Sequence, residues 1–520
     1  MKRSKFRKGL VIGILLLFVG AGVMPSTVGI QKEKKSIQII GSPGYIQDLI
    51  DNANPGDTIY IPSGIYYENI VIDKSISLIG EDKNTTIIDG SNVGDVVNIT
   101  ADWVNISGFT IQNSGEEWGD AGINLENHNS IYINTITITD NTISNHNYFS
   151  IFLRDNYNVN IIITGNSIFY NRFSILFYCC YGNNLISGNN ISYNGGGIVY
   201  SYSDPCNISY NTISNNDYGI NLGAGGGMII HGNFISNNSG HGIYLGEFSG
   251  GNIITDNIIS NNRGGIDFCW GNRKNVVTGN YISGNEYGVY IPYSFFYDCC
   301  DNIIAGNNIK NNLYGIYIDY NGYNNTIYHN NIINNEQNAQ DEGNNTWDNG
   351  KSGNYWDDYD GEDNNGDGIG DTPYLILGGD NEDRYPLMEP WSGANLPPDT
   401  PEIEGKTSFK KGEGGVYTYT IFSTDPDSDY VCYLINWTDE GQEQTEYYVS
   451  GENFTKDVNI PLEKGTYVIF KTKAIDIFGA ESDWATLEII VPRNRVLTNT
   501  MWYHWFLERF PMLERLLSLL

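Results

Sequence analysis

The densest loose grouping of proton-moving side chains is His241, Glu247, Asp267, Arg273 and Lys274. Paired carboxyl groups can protonate a leaving glycosidic oxygen and activate water, and a neighbouring imidazole can relay the proton. Set against a local repeat described below, these residues stand 8, 14, 10, 16 and 17 positions after the repeat's first Asn. Unequal offsets favour scattered surface residues over one catalytic face. The first four are the candidate catalytic residues.

A second pattern suits a hard cation. Asp363, Asn365, Asp367, Gly368 and Asp371 read D-x-N-x-D-G-x-x-D. Oxygen ligands at alternate positions converge on calcium, glycine permits the bend, and Ile369 offers its carbonyl. Tyr374 stands where a bidentate acid usually closes such a loop. The expected metal set is therefore Asp363, Asn365, Asp367, Ile369 and Asp371, with calcium as a structural cofactor. An acidic surface turn is the competing reading. The triplet Asp425, Asp427 and Asp429 reads as a turn or a weaker cation site. Met228, His231 and His241 are near in sequence but form no dense copper motif.

The first group, and the Met228, His231 and His241 set, sit on a repeat. N-x-I-x-x-N starts at Asn166, Asn189, Asn211, Asn233, Asn257, Asn280, Asn307 and Asn330, with a looser copy at Asn141. Successive starts are 22 to 27 residues apart, and a small-aliphatic pair such as Gly219-Ile220 or Gly288-Val289 follows. Units this small must stack to bury a face. Their apolar runs are short and alternate, which is strand spacing. Three short strands per turn give a right-handed parallel β-helix rising ~4.8 Å per coil. The Asn side chains should then ladder at the corners, with each following Ile pointing inward. Ile46, Leu49 and Ile50 form an amphipathic turn suited to capping the open end.

The repeats, together with NYWDDYDGEDNNGDGIGDTPYLI and DRYPLM near the acidic segment, resemble NosD-type carbohydrate-binding and sugar-hydrolase proteins of the pectin-lyase-like superfamily. The resemblance covers roughly residues 38–392 and implies an exported archaeal surface protein. It also implies possible polysaccharide chemistry: lyases of this superfamily combine calcium with an arginine base, and its epimerases carry D-P-H-D, which this chain lacks. Copper delivery is a further implied role.

The expected order is a signal peptide (1–29), an N-terminal cap with first coils (30–95), β-helix repeats (96–345), an acidic cap (346–394), an immunoglobulin-like β-sandwich (395–493) and an amphipathic tail (494–520). The signal rests on Lys2, Arg3, Lys5, Arg7 and Lys8 before an apolar run from Leu10 to Met24. An uncleaved anchor is its alternative. The alternation in GVYTYTIFS and YVCYLINW gives the sandwich. Asp425–Asp429 and Asn436–Asp439 resemble polycystic-kidney-disease-type and fibronectin type III modules. In the tail, Trp502, Trp505, Phe506, Leu516 and Leu517 suit contact with a membrane interface; a helix docked on the preceding module is the alternative.

Seven cysteines suggest cross-coil bonds, Cys179 or Cys180 with Cys206 and Cys269 with Cys299 or Cys300, or simply buried thiols. Lys and Arg total 29 against 61 Asp and Glu, a net charge of −32, which argues against nucleic acid. Residues 341–390 hold 14 acids and 2 bases, and residues 397–492 hold 18 and 7. The shaft is thus nearly neutral and its distal end acidic. The expected function is an exported, non-catalytic surface protein binding polysaccharide or glycoprotein. The alternative is a polysaccharide lyase or hydrolase.

Overall fold

The computed structural model describes residues 44–490, apart from 127–128, 204, 294, 394, 408, 410–414, 428, 438–440 and 461–466. The signal segment, the tail with its aromatic residues, and part of the Asn436–Asp439 run lie outside the described residues. No helix among the described residues is long and apolar enough to cross a membrane.

The chain winds as a parallel β-solenoid. One sheet holds 13 parallel strands, from Gly64–Tyr67 to Tyr355–Trp356, each paired with the strand one coil on. A second sheet of 25 strands carries the other faces, merged where long strands such as Phe149–Thr164 turn a corner without breaking. The repeat explains the register. Ile143, Ile168, Ile191, Ile213, Ile235, Ile259, Ile282, Ile309 and Ile332 align in one column, all fully buried. β-Branched side chains pack well in such a half-buried, pleated setting.

The corner asparagines form ladders. Asn189 accepts from both the backbone N–H (3.0 Å) and the Nδ2 (3.0 Å) of Asn166, and it donates in turn to Asn211 Oδ1 and to the Ile163 carbonyl. This first ladder runs from Asn141 to Asn354. The second Asn of each repeat builds another, from Asn171 to Asn335. A third, Asn252-Asn275-Asn302-Asn325-Asn345, lies outside the repeat motif. Each ladder amide finds donors and acceptors, so the polar corners carry little desolvation cost.

Both ends are closed. At the start, helix Tyr45–Asn52 buries Ile46 and Ile50, and its first N–H groups donate to Glu68 on the opening coil. At the far end the acidic segment finishes the ladders. Asn354 N–H donates to Asp383 (2.7 Å), which also accepts from Trp356 Nε1, and Asn345 N–H donates to Asn381. Burial pushes Asp383 up to about 6 despite these donors. The cap thus covers the last open coil.

Beyond it, Glu402–Glu404, Gly415–Phe422 and Phe454–Ile460 form one antiparallel sheet. Gly441–Gln444, Val431–Trp437, Tyr467–Asp476 and Ala485–Ile490 form another. They share a core including Tyr419, Tyr433, Ile435 and Phe470. A smaller core joins this C-terminal module to the solenoid through Val276, Ile303, Ala305, Tyr328 and Ile477.

All seven cysteines are free thiols, which corrects the expected cross-coil bonds. The register supplies the reason. Cys180 stacks under Ser203 and Cys206 under Met228, so the two cysteines occupy different columns. Cys299 likewise stacks on the column of Asn272, three residues beyond Cys269.

Candidate functional site

Five strand segments of similar pattern stack on one outer face: HGIYL (241–245), GGIDF (264–268), YGVYI (287–291), YGIYI (314–318) and QNAQD (337–341). Alternation sends the Ile, Val, Leu and Phe side chains into the core. The first and fourth positions, separated by a buried pair, make up two further columns. One reads His241, Gly264, Tyr287, Tyr314, Gln337, and the other Tyr244, Asp267, Tyr290, Tyr317, Gln340.

The tyrosines are half-buried and in mutual contact. Tyr287 stacks on Tyr290 (4.6 Å between ring centres) and on Tyr314 (5.1 Å), while Tyr317 meets Tyr290 and Tyr314 edge-on. Burial and the nearby Asp319 push the Tyr290 hydroxyl up to about 12. Gln340 Nε2 donates to the Tyr317 hydroxyl at 3.1 Å.

Asp267 lies among them and is only 3% exposed. Its Oδ2 contacts His241 Nδ1, and its Oδ1 has no hydrogen-bond partner. Desolvation raises its pKa, opposed by His241 and by Arg263, which itself pairs with Glu286 at 3.4 Å. Gly264 makes the arrangement possible, because any β-carbon there would collide with the Asp267 carboxylate. The imidazole leans over Tyr244, 5.2 Å away between ring centres. This is a buried carboxylate against a partly exposed imidazole on an aromatic surface, a pairing suited to proton transfer.

The four candidate catalytic residues therefore separate. His241 and Asp267 meet despite their unequal offsets. In register His241 pairs with Gly264, whose missing side chain leaves room for Asp267, from the neighbouring column, to reach the imidazole. Glu247 stands just past the strand, where its charge acts on Tyr244. Arg273 belongs to another column, bridged to Cys300, and takes no part. Measuring offsets only for charged and imidazole side chains missed Tyr244, Tyr287, Tyr290, Tyr314 and Tyr317. The recurring x-G-[IV]-Y segment was the available signal.

The calcium-type loop folds on itself. Asp363 accepts from the Gly366 (2.7 Å) and Gly368 (2.9 Å) amides, which hold its carboxyl below the usual range. The Asn365 side chain accepts from the Asp367 amide, Asp367 from the Ile369 amide, and Asp371 from Asn364. Among the described residues, the carboxylates whose oxygens gather within 4.8 Å are instead Asp425, Asp427 and Asp429. The copper-type residues are dispersed. Met228 is buried in the solenoid core, and His231 contacts Tyr210 and Asp256.

The fold defines a right-handed parallel β-helix protein. Residues 121–282 match the family described as "Right handed beta helix region", and residues 241–361 match "Periplasmic copper-binding protein (NosD)". No curated protein matches. The A-module of the Azotobacter vinelandii mannuronan C-5 epimerase AlgE6 is 15% identical, over 57% of this chain and 89% of that one, with a TM-score of 0.39. The Dettilon tailspike protein is 14% identical, over 76% and 83%, with a TM-score of 0.39. A PKD domain of an M14-like peptidase from a Thermoplasmatales archaeon is 36% identical, over 19% of this chain and 100% of that one, with a TM-score of 0.18.

Proposed function

We propose that the protein is an exported surface β-helix that binds polysaccharide or glycoprotein glycans on the tyrosine face. The observation that carries this reading is the stacked column pair Tyr287–Tyr314 and Tyr290–Tyr317. Tyrosine offers a sugar ring an apolar face and a hydroxyl handle together. Gln337, Gln340 and Glu286 border it with hydrogen-bonding groups. Rings repeated once per coil suit an extended chain better than a single small sugar. The C-terminal module serves as an immunoglobulin-like spacer of the polycystic-kidney-disease or fibronectin type III kind. Calcium at Asp363, Asn365, Asp367, Ile369 and Asp371 steadies the cap, and the far C-terminal aromatic residues contact a membrane.

A second reading, a polysaccharide lyase or hydrolase, draws on the Asp267–His241 contact alone. A glycan array paired with a degradation screen separates the two. Binding without cleavage, weakened in Tyr287→Ala/Tyr314→Ala, supports a binding protein. Cleavage abolished by Asp267→Asn promotes the enzyme. Neither binding nor cleavage rejects both.

A further inference from the structure

The loop Asp425–Asp429 sits where the C-terminal module meets the solenoid. Asp427's carbonyl accepts from Asn349 Nδ2 (3.2 Å), Pro426's carbonyl from Lys351 Nζ (3.1 Å), and the Tyr430 hydroxyl meets Thr326 Oγ1 (3.1 Å). A turn accounts for part of its acidity. Asp425 Oδ1 accepts from the Asp427 and Asp429 amides, at 2.9 and 3.0 Å, and Asp427 Oδ2 accepts from the Leu396 amide.

A turn does not account for the rest. Asp429 is 1% exposed, and its carboxylate meets no donor other than the neutral Tyr328 hydroxyl beside it, which leaves its charge uncompensated. Asp425 Oδ2 is buried as well and has no hydrogen-bond partner. Among the described residues no Lys or Arg pairs with any of the three acids; Lys351 reaches only a carbonyl. Asp476 adds a fourth negative charge nearby, although its own oxygens are taken by Asn395 and by the Phe478 and Ala480 amides. Converging carboxylates without donors are costly to bury unless a positive charge stands between them.

We propose that Asp425, Asp427 and Asp429 form a divalent-cation site that locks the C-terminal module onto the β-helix. An all-oxygen set selects a hard ion, and a half-open loop leaves positions for water and carbonyls, so calcium fits best. The ion would satisfy the orphaned oxygens of Asp425 and Asp429 together. It would also fix the loop that carries Tyr430 to Thr326, so occupancy and docking of the module are linked. This site is separate from the Asp363–Asp371 loop and independent of what the tyrosine face binds.

The full chain tests this by calorimetry with calcium chloride and by terbium luminescence excited through nearby tyrosines. Limited proteolysis at the linker around residues 395–400 reports on docking. Asp429→Asn should lose one bound calcium per chain and the calcium-dependent protection of the linker. Asp427→Asn, at a half-exposed position, should weaken the same site about tenfold or more. It serves equally if Asp429→Asn does not fold. Asp363→Asn/Asp367→Asn should keep both the site and the protection. Calcium stoichiometry unchanged in both junction variants overturns the proposal, as does linker cleavage indifferent to calcium in the parent.

Discussion

His146 takes an asparagine's place at the head of the second ladder, and this makes stability depend on pH. Its backbone N–H donates to Asn171 Oδ1, as a ladder residue should. Its ring imitates an amide. Nδ1 accepts from the Ser114 N–H at 3.2 Å, and Nε2 faces the Ile111 carbonyl at 3.1 Å. That pattern requires a neutral ring protonated on Nε2. The ring is fully buried, and desolvation lowers its pKa from 6.5 to about 4. The unfolded chain therefore takes the proton more readily than the folded one. Stability is intact above pH 6.5 and is lost as pH falls toward 4. From those two values the loss at pH 5 is about 2 kcal/mol for this ring, approaching ~3 kcal/mol below pH 4. His329, also buried and lowered to about 4, adds a similar amount. His146→Asn should restore an ordinary ladder step, with little change at pH 7. Equilibrium denaturant unfolding of parent and variant at pH 7 and pH 5 measures the difference, because other titrating groups cancel. The variant should lose about 2 kcal/mol less than the parent on acidification. Equal losses, within about 0.5 kcal/mol, would refute the tautomer argument.

Asn233→Ala removes bonds to Ile208, Asn211 and Asn257 in a buried corner, so denaturation should show a loss of roughly 2–5 kcal/mol. Asn190→Ala, on an exposed strand position, should stay within about 0.5 kcal/mol in the same assay. Asp383→Ala leaves the Asn354 amide and Trp356 indole N–H without their acceptor; a fall of roughly 2–4 kcal/mol and early melting of the distal end, read by hydrogen exchange, is expected. Calcium should raise the melting temperature of the parent more than that of Asp363→Asn/Asp367→Asn, which keeps only the junction site; equal EDTA sensitivity of the two would reject a stabilising loop site.

The solenoid was legible because one period fixed three things together. Asn at the corner, Ile two residues on and a small-aliphatic pair further along each specify a coil position. Their agreement over many copies leaves little freedom in register. The third ladder was periodic as well, since Asn252, Asn275, Asn302 and Asn325 each stand 5 residues before a repeat's first Asn. Spacing alone does not show that their side chains turn inward and bond one another. The tyrosine face was periodic too: Tyr287 and Tyr314 stand 7 residues after their corner Asn, and Tyr290 and Tyr317 stand 10 after it. Offsets measured for charged side chains alone pass over it. His241 and Asp267 looked mismatched by two residues, yet they stand on adjacent coils of one face. His146 was obscured by chemistry: nothing in a histidine's identity announces that its ring will act as an amide. That role emerges only when Ser114 and Ile111 present a donor and an acceptor at the spacing an asparagine would have used. The acidity divides similarly. Asp383 terminates a ladder, Asp363 braces its own loop, and Asp429 is left facing other acids. Sequence counts weigh these three alike, and only burial and partners distinguish a cap, a turn and a cation ligand.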